Sequence, residues 1–227
     1  MKLLGNSADT LPRLKPARTS IQIEAGNGIR LDGSLNVPDG AKGIVLFAHG
    51  SGSSRHSPRN VFVAGALRSS NLATLLLDLL TRDEDIDFEA RFDIALLAER
   101  LCIATRWLMA DDRTKSLKIG YFGASTGAAA AINAAIEMGD TVASIVSRGG
   151  RPDLSGNNLG RLKTPTLFIV GGADGVVLDL NRMAFARLLC EKDLVIVPRA
   201  THLFEEPGAL EEVAKLATIW FKNYFDK

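Results

Sequence analysis

Short apolar runs alternate along this chain with longer stretches in which apolar residues recur every three or four positions. The first pattern is typical of buried strands and the second of helices that lie against a sheet. The runs that predict strands cover residues 43–48, 72–77, 117–122, 143–146, 166–170 and 194–197, and the stretches that predict helices cover 92–109, 128–138, 178–189 and 207–225. This alternation predicts an α/β fold.

The first part of the chain predicts a hairpin. Residues 21–25 and 29–37 flank Gly26-Asn27-Gly28, which is a tight-turn sequence, so the pair is expected at an antiparallel edge of the sheet. Residues 1–20 contain two prolines and scattered charges and are expected to form an arm. Residues 21–227 are expected to form one domain, because a chain of 227 residues with 46% hydrophobic content can bury a large core.

One motif stands between a predicted strand and a predicted helix. Gly123-Ala124-Ser125-Thr126-Gly127 follows the apolar run 117–122 and precedes the alanine-rich run 128–138. This is the context of a nucleophile elbow, in which a serine occupies a strained corner and small residues two before and two after it avoid collision. Chance could also produce Gly-x-Ser-x-Gly in a chain with 21 glycines. The strand and helix favour a nucleophilic Ser125, with the backbone N–H of Thr126 at the positive helix end as one oxyanion donor.

A nucleophilic serine needs a base and an acid that orients the base. Of the three histidines, only His202 follows Ser125, as the chain order Ser, Asp or Glu, His requires, and it comes just after the apolar run 194–197. Asp174 lies in a glycine-rich turn after the run 166–170 and is the first choice for the acid, although Asp is also an ordinary turn former. Asp179 is the second choice and Asp153 the third.

A second oxyanion donor is expected from the loop after an earlier central strand. The run 43–48 is followed by His49-Gly50-Ser51-Gly52, where glycines let the backbone approach a substrate. The backbone N–H of Ser51 is the best candidate, with those of Gly50 and Gly52 next. His49 is expected to shape the loop rather than to transfer protons. Sequence motifs that bind phosphate or dinucleotides are absent.

Together, the string from His49, the elbow at Ser125, the turn at Asp174 and the late His202 resemble the α/β-hydrolase superfamily. In its short length, the chain resembles the dienelactone hydrolase-like branch of this superfamily. The resemblance covers nearly the whole chain from about residue 21. The resemblance implies an eight-stranded, mostly parallel sheet with helices on both faces, no lid domain, and a triad of Ser125, Asp174 and His202. Dienelactone hydrolases carry cysteine at the elbow, so the serine here shifts the expected substrate toward esters.

Composition and charge exclude some classes of partner and do not indicate a further function. The formal charge is +1, with 27 basic and 26 acidic residues, so no overall field favours nucleic acid or an anionic membrane. No stretch approaches the ~18 apolar residues of a membrane span, and the first ten residues lack a secretory core, so the cytoplasm is the expected location. Cys102 and Cys190 are expected to pack in the core. No cofactor is predicted.

Residues 81–87 carry several carboxylates that could suggest a metal site. Their spacing does not match a calcium loop, and acidic residues before a helix favour its positive end, so no metal is predicted. Arg148 and Arg151 follow the predicted strand 143–146 and could hold a substrate carboxylate if both face the crevice. Arginines on loops are also commonly solvated.

The sequence therefore predicts a serine hydrolase for small esters or lactones, with no inserted lid. A thioesterase or dienelactone-type hydrolase on the same triad stays open as an alternative. A ligand-binding module that has the fold without turnover also stays open. The oligomeric state is not predicted.

Overall fold

A computed structural model describes residues 19–227, which form an eight-stranded sheet. The strands are β1 (Thr19–Glu24), β2 (Arg30–Asn36), β3 (Gly43–Ala48), β4 (Ala73–Leu77), β5 (Lys118–Ala124), β6 (Val142–Arg148), β7 (Thr166–Gly171) and β8 (Lys192–Val197). Their order across the sheet is β1-β2-β4-β3-β5-β6-β7-β8. Strands β3 to β8 are mutually parallel, and β2 runs antiparallel to both of its neighbours. The mostly parallel sheet implied by the resemblance is confirmed.

Within residues 19–227, five α-helices cover the sheet: α1 (Pro58–Ser69), α2 (Ile94–Ala110), α3 (Thr126–Met138), α4 (Gly175–Arg187) and α5 (Ala209–Phe225). Apolar side chains of α2, α3 and α4 pack into one core, and those of α1 and α5 pack into a second core on the other face. Both faces of the central strands are therefore buried. This explains why β3 is apolar at every position rather than alternating.

The apolar pattern of the sequence does not predict the helix α1. Its start is marked by Pro58 in the first turn, which is a helix-start signal, but its interior carries Gly65 and a buried Asn60 that interrupt the apolar pattern. The predicted helix 92–109 corresponds to α2, which begins after Asp93 because that carboxylate accepts the Leu96 N–H at 2.9 Å.

The hairpin is formed by β1 and β2, and β1 begins at Thr19, two residues before the expected strand start at residue 21. Residues 1–18, which make up most of that arm, lie outside the described residues. Between β6 and β7 the chain forms a 3₁₀ helix, Pro152–Arg161, interrupted at Gly156, rather than an inserted lid domain. Leu159 of this segment packs into the core beneath α3 and α4.

Candidate active site

The loops that carry the predicted site residues all leave the same edge of the sheet. Because β3, β5, β7 and β8 are parallel, the segments that follow them lie at their carboxyl ends. Ser51 follows β3, Ser125 directly follows β5, Asp174 follows β7 and His202 follows β8. The topology therefore brings together residues spread over about 150 positions of the chain.

Ser125 occupies the corner between β5 and α3 with φ 51° and ψ −122°, a backbone conformation that non-glycine residues rarely adopt. The flanking glycines are required by close approaches. A Cβ atom at Gly123 would lie 2.6 Å from the Cα of Ala128, and one at Gly127 would lie 2.2 Å from the carbonyl oxygen of Ala48. The corner thus has the strained, tightly packed geometry expected of a nucleophile elbow.

His202 and Asp174 form a direct hydrogen bond. Nδ1 of His202 lies 2.7 Å from Oδ2 of Asp174, and the two side chains are 37% and 15% exposed. Backbone hydrogen bonds hold the two loops side by side, because the N–H of Ala173 donates to the carbonyl of Ala200 at 2.9 Å. A carboxylate at Nδ1 favours the imidazole tautomer that leaves Nε2 free to accept a proton.

The two lower-ranked acids have other partners. Asp153 accepts two hydrogen bonds from Arg151, at 2.9 and 2.8 Å, and Asp179 pairs with Arg182 at 3.2 Å on α4. Of the three carboxylates considered, the structure places only Asp174 on the His202 ring.

The nucleophile and the base border the same two residues of β6 and its loop. The N–H of Ser125 donates to the carbonyl of Arg148 at 3.4 Å. A Cβ atom at Gly149, the next residue, would lie 3.2 Å from the carbonyl oxygen of His202 and 3.5 Å from its Nδ1. Ser125 and His202 therefore both lie beside the end of β6, where Arg148 is located.

The loop after β3 packs directly on the nucleophile. A Cβ atom at Gly50 would lie 2.9 Å from the Cβ of Ser125, so only glycine fits there. The N–H of Ser51 donates to Oγ1 of Thr126 at 2.9 Å. The two predicted oxyanion donors are thus neighbours, but in this structure the Ser51 N–H is directed at a hydroxyl group of the protein.

The side chain of His49 holds this loop in place through its two ring nitrogens. The ring is buried, with Nε2 accepting the N–H of Leu79 at 3.1 Å and Nδ1 3.0 Å from the carbonyl of Gly50. This pair of contacts requires a neutral ring that carries its hydrogen on Nδ1. Burial lowers the pKa of His49, against smaller opposing effects from the Gly50 carbonyl and from Asp78. The neutral ring agrees with the structural role predicted for it.

The guanidinium groups of Arg148 and Arg151, which the sequence offers for a substrate carboxylate, have partners within the protein in this structure. Arg151 is engaged in the bidentate pair with Asp153. Arg148 is only 5% exposed, and its guanidinium lies over the Phe204 ring, with 5.6 Å between Cζ and the ring centroid, on the face of the sheet covered by α1 and α5. The sequence pattern predicts where this strand ends. It does not predict that a loop from later in the chain covers the end of the strand, so the burial of Arg148 could not be predicted.

Two of the acidic residues of 81–87, Glu84 and Asp85, pair with arginines. Glu84 accepts a hydrogen bond from the buried Arg100 at 2.9 Å, and Asp85 pairs with Arg91 at 3.0 Å. No group of three or more potential metal-ligating side chains occurs in the described part of the chain. The thiols of Cys102 and Cys190 are free, and burial raises the pKa of each. Within residues 19–227, no helix has the length and apolar character that a membrane span needs.

Two cavities bear on where a ligand binds. One of about 220 Å³ lies beside the loop after β3 and is lined by His49, Ser53, Arg55 and Asp78 among others. A larger one of about 830 Å³ lies at the opposite end of the sheet, between the end of α3 and the segment before β8, and contains none of the predicted catalytic residues. The candidate site therefore rests on the geometry of Ser125, Asp174 and His202 and not on cavity size.

The fold and this arrangement of loops define an α/β-hydrolase, and the comparisons with known proteins agree. The crystal structure of a dienelactone hydrolase from Anabaena variabilis is 55% identical, covers 92% of this chain and 98% of its own, and superposes with a TM-score of 0.89. The chain belongs to the dienelactone hydrolase family. Est1E from Butyrivibrio proteoclasticus (15% identical, 92% and 99% covered, TM-score 0.78) and an esterase from Pyrococcus furiosus (17% identical, 99% and 97% covered, TM-score 0.77) share the fold.

Two curated proteins from Mycobacterium tuberculosis strains match at 55% identity over 204 residues, which is 90% of this chain. Both carry the provisional name phosphoribosyl transferase. The chain spans only 46% of their length, so their names describe proteins about twice as long. No family model matches the sequence.

Proposed function

We propose that this protein is a serine hydrolase that cleaves small carboxylic esters or lactones through an acyl-enzyme on Ser125. The observation that carries the proposal is the 2.7 Å hydrogen bond between His202 and Asp174, formed at the sheet edge where Ser125 occupies its strained corner. Membership of the dienelactone hydrolase family supports hydrolysis as the class of reaction.

In the proposed reaction, Ser125 Oγ attacks the substrate carbonyl carbon while its proton passes to Nε2 of His202. Asp174 holds Nδ1–H and stabilises the imidazolium that forms. The carbonyl oxygen becomes an oxyanion, which the backbone N–H groups of Ser51 and Thr126 would bind. His202 then protonates the departing alcohol oxygen, and the ester bond to Ser125 remains. Water, deprotonated by His202, attacks that acyl group and releases the acid with Ser125 restored.

The rim of the crevice supports an uncharged, partly apolar substrate. Ile86 and Phe88 follow β4, Val176 follows Asp174, and Leu203 follows His202. These side chains are 80%, 68%, 76% and 39% exposed respectively. The segments after β4, β7 and β8 thus present apolar surface to solvent at the carboxyl ends of the strands, and such surface favours the alkyl or aryl part of an ester.

The transferase name of the mycobacterial relatives favours a different reaction, and we assign that name to the part of those relatives that this chain does not span. The 204 matched residues cover 90% of this chain, and the site described above uses groups suited to acyl transfer. Steady-state rates on short p-nitrophenyl esters, lactones and acyl-thioesters separate the esterase from the thioesterase and dienelactone-type alternatives. A cytoplasmic location and a small-molecule partner stay predictions.

Labelling with a fluorophosphonate tests the proposal, because it requires nucleophile, base and oxyanion hole together. We expect one adduct per chain, located on Ser125 by peptide mass spectrometry and lost in Ser125→Ala. Ser69→Ala, which changes an exposed serine of α1, should label like the wild type. A folded wild-type protein that stays unlabelled and hydrolyses none of these substrates would instead support the non-catalytic binding module.

A further inference from the structure

Arg148 forms hydrogen bonds with the backbone of both the proposed nucleophile, Ser125, and the proposed base, His202. Its backbone carbonyl accepts the N–H of Ser125 at 3.4 Å, next to the register pair Ala124 and Arg148 of β5 and β6. Its side-chain Nη1 donates to the backbone carbonyl of His202 at 3.4 Å. One residue at the end of β6 therefore joins the elbow on one side to the His202 loop on the other.

The guanidinium is held in an environment that opposes its charge. It is buried, its Nε has no hydrogen-bond partner, and no carboxylate among residues 19–227 forms an ion pair with it. Burial, together with the like charge of Arg59, lowers the pKa of Arg148 to about 10. The group still carries its charge at neutral pH. An unpaired buried charge costs folding free energy, so stability alone does not account for an arginine here.

The hydrogen bond and the aromatic contact of the guanidinium both belong to the segment that carries the base. Phe204 lies against its face, and the carbonyl of His202 accepts its hydrogen bond. Phe204 has φ 56°, so the chain turns sharply just after His202. Gly149 leaves no side chain between β6 and this turn, which brings the His202 carbonyl down onto the end of the strand.

We propose that Arg148 is a positioning residue for the catalytic base: its guanidinium holds the His202 loop at the distance from Ser125 that its own backbone fixes. This inference rests on the proposed function of Ser125 and His202. It replaces the substrate-carboxylate role that the sequence suggested for Arg148. Misplacement of a catalytic group by about 1 Å can cost about 100-fold in rate, so a small shift of this loop is sufficient to matter.

Arg148→Met tests the proposal, with Arg148→Lys as the conservative variant. On a neutral ester, Arg148→Met should lower kcat by about 10- to 100-fold with little change in KM, and the rate of fluorophosphonate labelling should fall in parallel. Arg148→Lys keeps a donor and a charge and should recover part of kcat. The melting temperature of Arg148→Met should not fall, because the substitution removes an unpaired buried charge.

Arg100→Met is a matched control. Arg100 is equally buried, has an unpartnered Nε and donates to the carbonyl of Ala25 at 3.4 Å, but it pairs with Glu84 on the far face of the sheet. Its loss leaves Glu84 unpaired, so we expect a lower melting temperature and an unchanged kcat per folded molecule. The two arginines should thus give opposite patterns of stability and turnover.

Two results would overturn the proposal. A lower melting temperature with unchanged kcat would make Arg148 a structural residue only. A KM that rises selectively for acidic esters would make it a substrate-binding residue.

If the wild type neither hydrolyses esters nor labels, the proposed function fails, and the proton spectrum still decides on Arg148. In that case the downfield resonance of the His202 Nδ1–H, which reports its bond to Asp174, should be sharp in the wild type and lost or broadened in Arg148→Met. An identical resonance in both proteins would contradict positioning. If Arg148→Met does not fold, the same measurements on Arg148→Lys test the proposal. A lower kcat in Arg148→Lys than in the wild type would support positioning by the guanidinium, whereas an unchanged kcat and an unchanged resonance would show that packing alone holds the base.

Discussion

The backbone N–H of Ser51 and the side-chain hydroxyl of Thr126 lie 2.9 Å apart, although 75 positions separate the two residues in the chain. This bond joins the loop after β3 to the first residue of α3. Both residues are proposed oxyanion donors through their backbone N–H groups. The hydroxyl of Thr126 therefore holds the loop in place while it occupies the hydrogen that the loop would offer to a substrate.

Thr126→Val separates these two effects because valine has nearly the same shape and no acceptor. We expect kcat to fall about 10-fold, since a preorganised donor loses its anchor, and KM to change little. Thr126→Ser should retain most of the wild-type rate. A kcat that rises in Thr126→Val would show that the hydroxyl competes with the substrate for the N–H of Ser51.

The acid can be assigned by three isosteric substitutions. Asp174→Asn should lower kcat by roughly 10³ to 10⁴, because the amide favours the wrong imidazole tautomer of His202. Asp153→Asn and Asp179→Asn should stay within a few-fold of the wild type, since their partners are arginines. Steady-state kinetics on one ester compares all three, and an inactive Asp153→Asn beside an active Asp174→Asn would reverse the assignment.

Gly127→Ala should destabilise the fold, because its Cβ would lie 2.2 Å from the backbone oxygen of Ala48 and neither backbone can yield easily. We expect a loss of about 3 kcal/mol or more in the free energy of unfolding, measured by urea denaturation. Gly65→Ala is the control within α1, where the nearest neighbour of a Cβ is the flexible end of Arg68 at 3.7 Å. That change should gain about 0.5 to 1 kcal/mol from helix propensity.

The buried neutral ring of His49 predicts a pH dependence. Its pKa is lowered in the folded protein from an ordinary value near 6.5, so the unfolded chain binds a proton first as the pH falls. The stability that His49 contributes is therefore complete above about pH 6.5 and is lost below it. His49→Gln keeps an acceptor for the Leu79 N–H without titrating. The difference in melting temperature between the wild type and this variant should shrink or reverse from pH 7.5 to pH 5, and a constant difference would contradict the assignment.

Acyl-chain preference tests the open crevice. Each buried CH₂ gains ~0.8 kcal/mol, but the 3₁₀ helix between β6 and β7 packs under α3 and α4 and gives no enclosing wall. Butyryl esters should therefore be cleaved faster than decanoyl esters. Arg151→Ala should raise KM for acidic esters only if Arg151 leaves Asp153 to bind them. A rate that climbs beyond eight carbons would overturn the open-crevice interpretation.

The sequence predicts that the candidate site residues lie at one edge of the sheet, because each part of the candidate site is encoded by a short local segment. The elbow needs only small residues around Ser125 between a strand and a helix, and the order of acid and base follows from the strands that precede them. The role of Arg148 could not be predicted from local sequence alone. Its role depends on the loop around Phe204, more than fifty positions later, folding back over β6, and no periodicity within β6 reports that contact.

Helix α1 shows a second limit of the sequence. Its buried side chains include Asn60 beside apolar residues, so the apolar pattern that marks the other helices is weak there. The hydrogen bond from Ser51 to Thr126 could not be predicted from the sequence either, because it joins a loop to the start of a helix and their separation is set by the pairing of β3 with β5.

The parallel strands β3 to β8 also place the proposed catalytic loops and the segments that lead into the strands at opposite edges of the sheet. All of the proposed catalytic groups follow strand ends, whereas residues 111–117, 139–141 and 188–191 precede strands at the opposite edge. Attachment of a dye, a surface linker or a fused protein at that edge, for example at the exposed Asp140, would leave the route to Ser125 unobstructed. The enzyme can therefore be immobilised with its crevice facing the solution.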